Sequence, residues 1–129
     1  MLAEVAQRFR VGIISDTIVT PGRGLRQILG DYGLLQHFQS GALIFSDEVG
    51  GAKPAPVVFT SAAAAFGLAP AQLAHVGDRE PNDIDGALAA GWKAVLYTGA
   101  VDRRPPDGAT RADAVCTHHR DMARILSEL

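Results

Sequence analysis

Short runs of consecutive apolar residues alternate along this chain with segments whose apolar positions recur at helical spacing. Five apolar runs, each ending in small or polar residues, predict buried strands over residues 11–15, 42–45, 73–76, 92–97 and 114–117. Helical patterns lie before, between and after them, over residues 1–9, 22–33, 54–67, 82–90 and 122–129. Because the strands alternate with helices, the pattern predicts an α/β domain built on a parallel sheet.

Composition and charge indicate a globular domain and argue against several other classes of protein. The 129 residues, 47% of them apolar and 20% charged, can bury the core of one compact domain spanning residues 1–129. A net charge of −2 argues against general electrostatic binding of nucleic acid or of an anionic membrane. The single cysteine, Cys116, excludes an internal disulfide and a cysteine-based zinc site. No apolar run is long enough for a membrane span and the N-terminus does not resemble a signal peptide, so we expect a cytoplasmic protein.

Polar side chains that could carry chemistry follow the predicted strands. Ligands of open parallel sheets bind at the carboxyl ends of the strands. The residues found there are Ser15, Asp16, Ser46, Asp47, Asp78 and Thr98, and Lys53 follows the second strand. Such a set suits a phosphate with a divalent cation: a hydroxyl can hydrogen-bond phosphoryl oxygens, a lysine can neutralise charge, and carboxylates can hold Mg²⁺.

Three segments around these residues resemble motifs of the haloacid-dehalogenase-like (HAD) hydrolases, most of which are phosphatases. The segments follow one another in the same order as the motifs of that family and at similar spacing. The segments are 11–16 (VGIISD), 45–59 (FSDEVGGAKPAPVVF) and 76–91 (VGDREPNDIDGALAAG), and the resemblance extends from residue 11 to residue 99. It implies a three-layer, Rossmann-like α/β core. It also implies hydrolysis of a small phosphorylated metabolite through an aspartyl-phosphate, with Mg²⁺ as cofactor.

The resemblance assigns roles to four residues of this chain. Ser15 corresponds to the hydroxyl residue that contacts the phosphoryl group, and Lys53 to the lysine that stabilises its charge. Asp78 and Asp83 correspond to the two acids that serve the magnesium site. This pair of acids favours the Mg²⁺-dependent phosphatases over the metal-free dehalogenases of the family.

The family's first motif, Asp-x-Asp-x-Thr at the end of an opening strand, is not found, so no nucleophile is assigned. The segment 16–20 (DTIVT) has Ile18 where the second acid belongs, and the segment 83–88 (DIDGAL) follows polar residues instead of an apolar strand. In the family the opening strand lies in the middle of the sheet, and residues 1–9 resemble the last helix of a cap. We therefore expect a truncated core that is inactive alone. Its exposed strand edges would favour a homo-oligomer or a complementing polypeptide.

Two other functions stay open on the sequence. The first is a non-catalytic remnant that keeps Ser15, Lys53 and the two acids and binds a phosphorylated ligand or a partner subunit. The second is a receiver-like module phosphorylated on an aspartate, with Thr98 as a switch hydroxyl, although the first strand then lacks the expected paired acids. Structural roles are the simpler interpretation for Asp16 and Asp47 as turn residues and for His75 as a packed or edge histidine.

Overall fold

Five parallel strands form two sheets in the computed structural model, which describes all 129 residues. The chain divides into two compact units, Leu2–Gly67 and Leu68–Leu129, with Met1 grouped with the second. The strands are β1 (Ile13–Ser15), β2 (Leu43–Phe45), β3 (Ala74–Gly77), β4 (Lys93–Tyr97) and β5 (Ala114–Cys116). The α-helices are α1 (Leu2–Arg8), α2 (Gly22–Asp31), α3 (Ser46–Val49), α4 (Pro56–Phe66), α5 (Asp85–Ala89) and α6 (Met122–Ser127).

The first unit is built on the pair β1–β2. These strands run parallel, with Ile13 opposite Leu43 and Ser15 opposite Phe45. Close packing beneath them requires a glycine at position 12, where a Cβ atom would lie 2.6 Å from the carbonyl oxygen of Ala42. The buried apolar side chains of this unit come from α1, from β2 and the residue before it, and from α4: Val5, Ala42, Ile44, Phe45, Val58, Phe59 and Ala62.

Helix α4 follows from local signals. Pro56 occupies the first helical position, where its missing N–H costs no hydrogen bond. Gly67 ends the helix in the left-handed conformation, with φ of 62°, which glycine adopts without a Cβ clash. The sequence pattern did not predict α3, because its four residues are too few to show periodicity; Gly50, with φ of 75°, ends it.

The second unit is the three-stranded sheet β3–β4–β5. The central strand β4 pairs in parallel with β3 and with β5, and Ala94, Val95 and Leu96 at its middle are buried. The helix predicted from residue 82 begins earlier, as a π-helical turn over Glu80–Ile84 that continues into α5. π-Helical turns are rare and frequent at functional sites.

The predicted fold class is confirmed: the structure is α/β with parallel sheets, and all five predicted strands are present, with bounds that differ by one or two residues. Only β4 has a strand neighbour on both sides, and β1, β2, β3 and β5 each have one. The longest helix, α4, has 11 residues, and no helix meets the length and apolarity needed to cross a bilayer.

Candidate functional site

The carboxyl end of β1, in the chain's first unit, contacts the loop that carries Lys53. Ser15 is the last residue of β1 and is half-buried. The next residue, Asp16, accepts a hydrogen bond from the backbone N–H of Lys53 at 2.9 Å, across 37 positions of sequence. Asp16 therefore holds the 50–55 loop against this edge, which is the turn role that the sequence predicted for it.

A second set of hydrogen bonds ties the end of β1 to the start of α3. The Thr17 N–H donates to the Ser46 hydroxyl at 2.7 Å, and the Thr17 hydroxyl donates to Asp47 at 2.8 Å. Asp47 also accepts the backbone N–H of Gly22 at 3.2 Å, which is a structural role as predicted, although Asp47 lies in helix α3 and not in a turn. The Thr17 hydroxyl, followed by the Gly22 N–H, holds the pKa of Asp47 below its ordinary value. The Ser15 hydroxyl takes no part in these bonds.

In the second unit, Asp78 and Asp83 are joined through the backbone at the carboxyl end of β3. The Asp83 carboxylate is 2% exposed, and its Oδ2 accepts the N–H groups of Asp78 at 3.1 Å and Arg79 at 3.0 Å. Its Oδ1 accepts a hydrogen bond from His75 Nε2 at 3.0 Å. A Cβ atom at Gly77 would overlap the Asp83 carboxyl group, so only glycine allows this close approach. Asp83 thus shapes the turn that carries Asp78.

The Asp78 carboxylate, by contrast, points to a more open environment. Its side chain is 42% exposed and forms an ion pair with Arg103 of the 99–113 loop. A cavity of about 50 Å³ lies beside this pair, lined also by Glu80 and Arg104.

Further contacts fasten the same loop to the helical turn after β3. Glu80 accepts hydrogen bonds from the Thr110 hydroxyl at 2.8 Å and from the Arg111 N–H at 2.6 Å. The Arg111 guanidinium also binds both oxygens of Asp85, at 2.6 and 2.7 Å.

The donor set in the second unit fits a weakly coordinated hard cation. Mg²⁺ binds one or two protein carboxylates and keeps several of its waters. Asp78 offers one partly exposed carboxylate, and Asp83 lies directly behind it. No group of three or more His, Cys, Asp or Glu side chains forms a metal cage. Asp78 can therefore supply one of the carboxylate ligands that Mg²⁺ takes from a protein, and the remaining ligands would be waters.

Comparison with protein families identifies the family to which this chain belongs. The family profile described as HAD-hydrolase-like matches residues 51–122, which is more than half of the chain. The chain belongs to the HAD-like hydrolases. The matched region includes Lys53, Asp78 and Asp83. Ser15 and Lys53 lie in the first unit, and Asp78 and Asp83 lie in the second.

Curated relatives of this HAD-like chain include named phosphatases. It is 42% identical over 90 residues to the phosphoserine phosphatase of Thermus thermophilus, covering 68% of this chain and 34% of the relative. It is 36% identical over 89 residues to the glyceraldehyde 3-phosphate phosphatase of Methanopyrus kandleri, covering 67% of this chain and 38% of the relative. The chain therefore spans about a third of the length of the curated relatives it matches.

Solved structures agree with the HAD-like assignment. A HAD phosphatase from Thermococcus onnurineus matches 97% of this chain and 54% of its own with a TM-score of 0.80, at 27% sequence identity. A HAD-hydrolase from Bacillus subtilis bound to magnesium matches 97% of this chain and 52% of its own with a TM-score of 0.81. Its 18% identity makes this second match evidence of the fold alone.

Two residues beside the candidate site were not predicted from the sequence as functional. His75 carries a weak signal, because an ionisable side chain interrupts an apolar strand two residues before Gly77. The structure makes it a buried partner of Asp83. Arg103 carries no signal, since it lies in a loop with several other charged residues and its pairing with Asp78 spans 25 positions.

Proposed function

We propose that this chain carries the phosphate-binding and cation-binding residues of a Mg²⁺-dependent phosphatase that acts on a small phosphorylated metabolite. The observation that carries the proposal is the position of Asp78. Its carboxylate is partly exposed at the carboxyl end of a parallel strand, in a turn held by Asp83, within the region that matches the family. The names of the Thermus and Methanopyrus relatives support a phosphorylated metabolite as the substrate.

Ser15 and Lys53 supply the phosphate-binding groups in this proposal. The Ser15 hydroxyl donates a hydrogen bond to a phosphoryl oxygen, and the Lys53 ammonium balances the charge that develops in the transition state. The bond from Lys53 N–H to Asp16 supports this assignment, because it keeps the lysine beside the residue that follows Ser15.

Asp78, assisted by Asp83, holds the cation. A bound Mg²⁺ polarises the phosphoryl group and neutralises part of its charge. A single cysteine and a metabolite substrate are in keeping with a cytoplasmic enzyme.

The nucleophile comes from outside this chain, so the chain alone is close to inactive. In the complete reaction an aspartate carboxylate attacks phosphorus and the substrate alcohol leaves; water then hydrolyses the aspartyl-phosphate to free phosphate and the original carboxylate. The candidate aspartates of this chain are already committed to other bonds. Asp16 accepts the Lys53 N–H, Asp83 is buried in a hydrogen-bonded turn, and Asp85 is held by Arg111.

Binding measurements on the chain test the proposal. Calorimetry with Mn²⁺ should give binding that Asp78→Asn weakens by about tenfold or more, and that Asp31→Asn, at the end of α2, leaves unchanged. Titration with inorganic phosphate should give binding that Ser15→Ala and Lys53→Ala weaken. Lys93→Ala, which removes the only other lysine, is the matched control. Robust turnover of an aryl phosphate that survives Asp78→Asn and Lys53→Ala would overturn the proposal.

A second function, binding of a partner polypeptide, is favoured by the sheet topology. Four strands, β1, β2, β3 and β5, each lack a neighbour on one side, and an unpaired strand edge is a template for another strand. The partner is either a second copy of this chain or a polypeptide that supplies the missing strand and its aspartates. Light scattering during gel filtration separates these cases, because a dimer indicates the first and restored phosphatase activity on adding a HAD N-terminal segment indicates the second. A strict monomer that no such segment activates would contradict both.

A further inference from the structure

A buried histidine lies behind the candidate cation site. His75 is on β3, its side chain is 10% exposed, and its Nε2 lies 3.0 Å from Asp83 Oδ1. A carboxylate can only accept, so the imidazole N–H donates this hydrogen bond. The bond is shielded from water, where hydrogen bonds to a charged group are stronger than at the surface.

The Asp83 carboxylate connects this histidine to the turn of Asp78. One oxygen accepts the His75 N–H, and the other accepts the backbone N–H groups of Asp78 and Arg79. Three donors therefore converge on one carboxylate that is 2% exposed. Burying a carboxylate is costly unless such donors surround it, and a rotation of the carboxylate would break the bonds to the turn.

We propose that His75 is a positioning residue: by fixing the Asp83 carboxylate, it holds the 77–79 turn in the conformation that presents Asp78 to a divalent cation. This inference rests on the proposed function, because it concerns the same cation site. It assigns the role to the hydrogen bond of His75 and not to its bulk. Groups that orient a metal ligand commonly change metal affinity about 10–100-fold when they are removed.

Two substitutions separate the hydrogen bond from packing. His75→Leu places an apolar side chain of roughly similar size at this position and removes the donor, whereas His75→Gln keeps an N–H near the position of Nε2. Met122→Ala, in the buried face of α6, is the control for a general loss of stability.

The first measurement needs no metal. Amide hydrogen exchange of Asp78 and Arg79 should accelerate in His75→Leu by about tenfold or more relative to the rest of the sheet, because local opening of the turn becomes easier. In His75→Gln the exchange rates of these two amides should return to within about threefold of their rates in the unaltered chain. Met122→Ala should accelerate amide exchange throughout the second unit, with no larger effect on Asp78 and Arg79 than on the other amides.

The second measurement is the Mn²⁺ dissociation constant, from the relaxation of water protons. It should rise about tenfold or more in His75→Leu and recover in His75→Gln. Unchanged exchange and unchanged affinity in His75→Leu would overturn the inference, and so would a glutamine variant that fails to recover. Should His75→Leu not fold, His75→Asn, whose amide is too short to reach Asp83, takes its place with the same expectations.

The two proposals fail in different ways. Suppose that the unaltered chain does not bind Mn²⁺ while His75→Leu still accelerates exchange of the Asp78 and Arg79 amides. The cation site of the proposed function is then wrong, and the role of His75 in holding the 77–79 turn through Asp83 is supported. If the unaltered chain binds Mn²⁺ and His75→Leu binds it equally well, the proposed function stands and the positioning role of His75 is wrong.

Discussion

The guanidinium of Arg103 donates a hydrogen bond to the carboxylate of Asp78, across 25 positions of sequence. Both side chains are partly exposed, and the loop that carries Arg103 is fastened to the helical turn after β3 by Glu80. A positive group thus occupies the carboxylate to which we assign a divalent cation. Because both cations need the same oxygens, the ion pair and the metal site compete.

Arg103→Gln should therefore tighten Mn²⁺ binding to the chain. Exposed ion pairs contribute about 0.2–1 kcal/mol, so removing the competitor should lower the dissociation constant by a factor of about 1.4 to 5 at low salt. Arg104→Gln is the matched control, because its guanidinium pairs with Asp102 and not with Asp78. Equal tightening in both variants would indicate a general effect of net charge and would contradict direct competition.

Gly77→Ala should destabilise the chain. The added Cβ would overlap the Asp83 carboxyl group, which is buried and cannot move without losing its hydrogen bonds. We expect the free energy of unfolding to fall by about 2 kcal/mol or more, measured by urea denaturation.

Gly30→Ala is the control for Gly77→Ala. Gly30 lies in helix α2, and a Cβ atom added there would meet only the end of the Leu35 side chain, at 4.0 Å. Gly30→Ala should raise stability by about 0.5 kcal/mol, since alanine favours the helix. An equal loss in both variants would mean that the fit between Gly77 and Asp83 is not the cause.

Thr98→Val should leave stability unchanged or raise it. The Thr98 hydroxyl is buried and has no hydrogen-bond partner, so valine of the same shape removes a desolvated polar group. The expected gain is up to about 1 kcal/mol in urea denaturation. Thr110→Val, which removes the bond to Glu80 and the bond from the Ala112 N–H, should instead lose about 0.5–1.5 kcal/mol or more. A loss of more than about 1 kcal/mol in Thr98→Val would indicate a buried water on the hydroxyl.

The acid titration of Asp102 should depend on Arg104. Hydrogen bonds from the Arg104 side chain and then from its backbone N–H lower the pKa of Asp102 from 3.8 to about 2. Because the pKa is lower in the folded state, the pair contributes its stabilisation above about pH 4, and loses it as the pH falls toward 2. Carboxyl ¹³C shifts should titrate with a midpoint near 2, and Arg104→Gln should return that midpoint toward 3.8. A midpoint that does not move would rule out the arginine as the cause.

The sequence predicted the fold where the deciding forces are local. Apolar runs marked all five strands, because a strand buried in a parallel sheet is apolar on both faces. Pro56 and Gly67 marked the two ends of α4 through their own backbone preferences. The short helix α3 was not predicted, since four residues are too few for a helical period to show.

The sequence also predicted the residues at the strand ends, but not how they are held. Ser15, Lys53, Asp78 and Asp83 were identified because their types and spacing match motifs of the family. The hydrogen bonds around these residues were not predicted. Asp16 accepts the Lys53 N–H across 37 positions of sequence, and Arg103 donates to Asp78 across 25. Pairs so distant in sequence are selected by the path of the chain and not by local preference.

By itself, then, the sequence determined the alternating strands and helices, because periodicity is a property of neighbouring positions. It indicated the family and the candidate site residues through three short motifs and their order along the chain. Only the tertiary structure decided that Asp83 is buried with three donors around it while Asp78 stays exposed beside Arg103. Two aspartates of one motif thereby differ in environment. The physical reason is that burial and hydrogen bonding depend on which distant groups the fold brings within about 3 Å of each carboxylate.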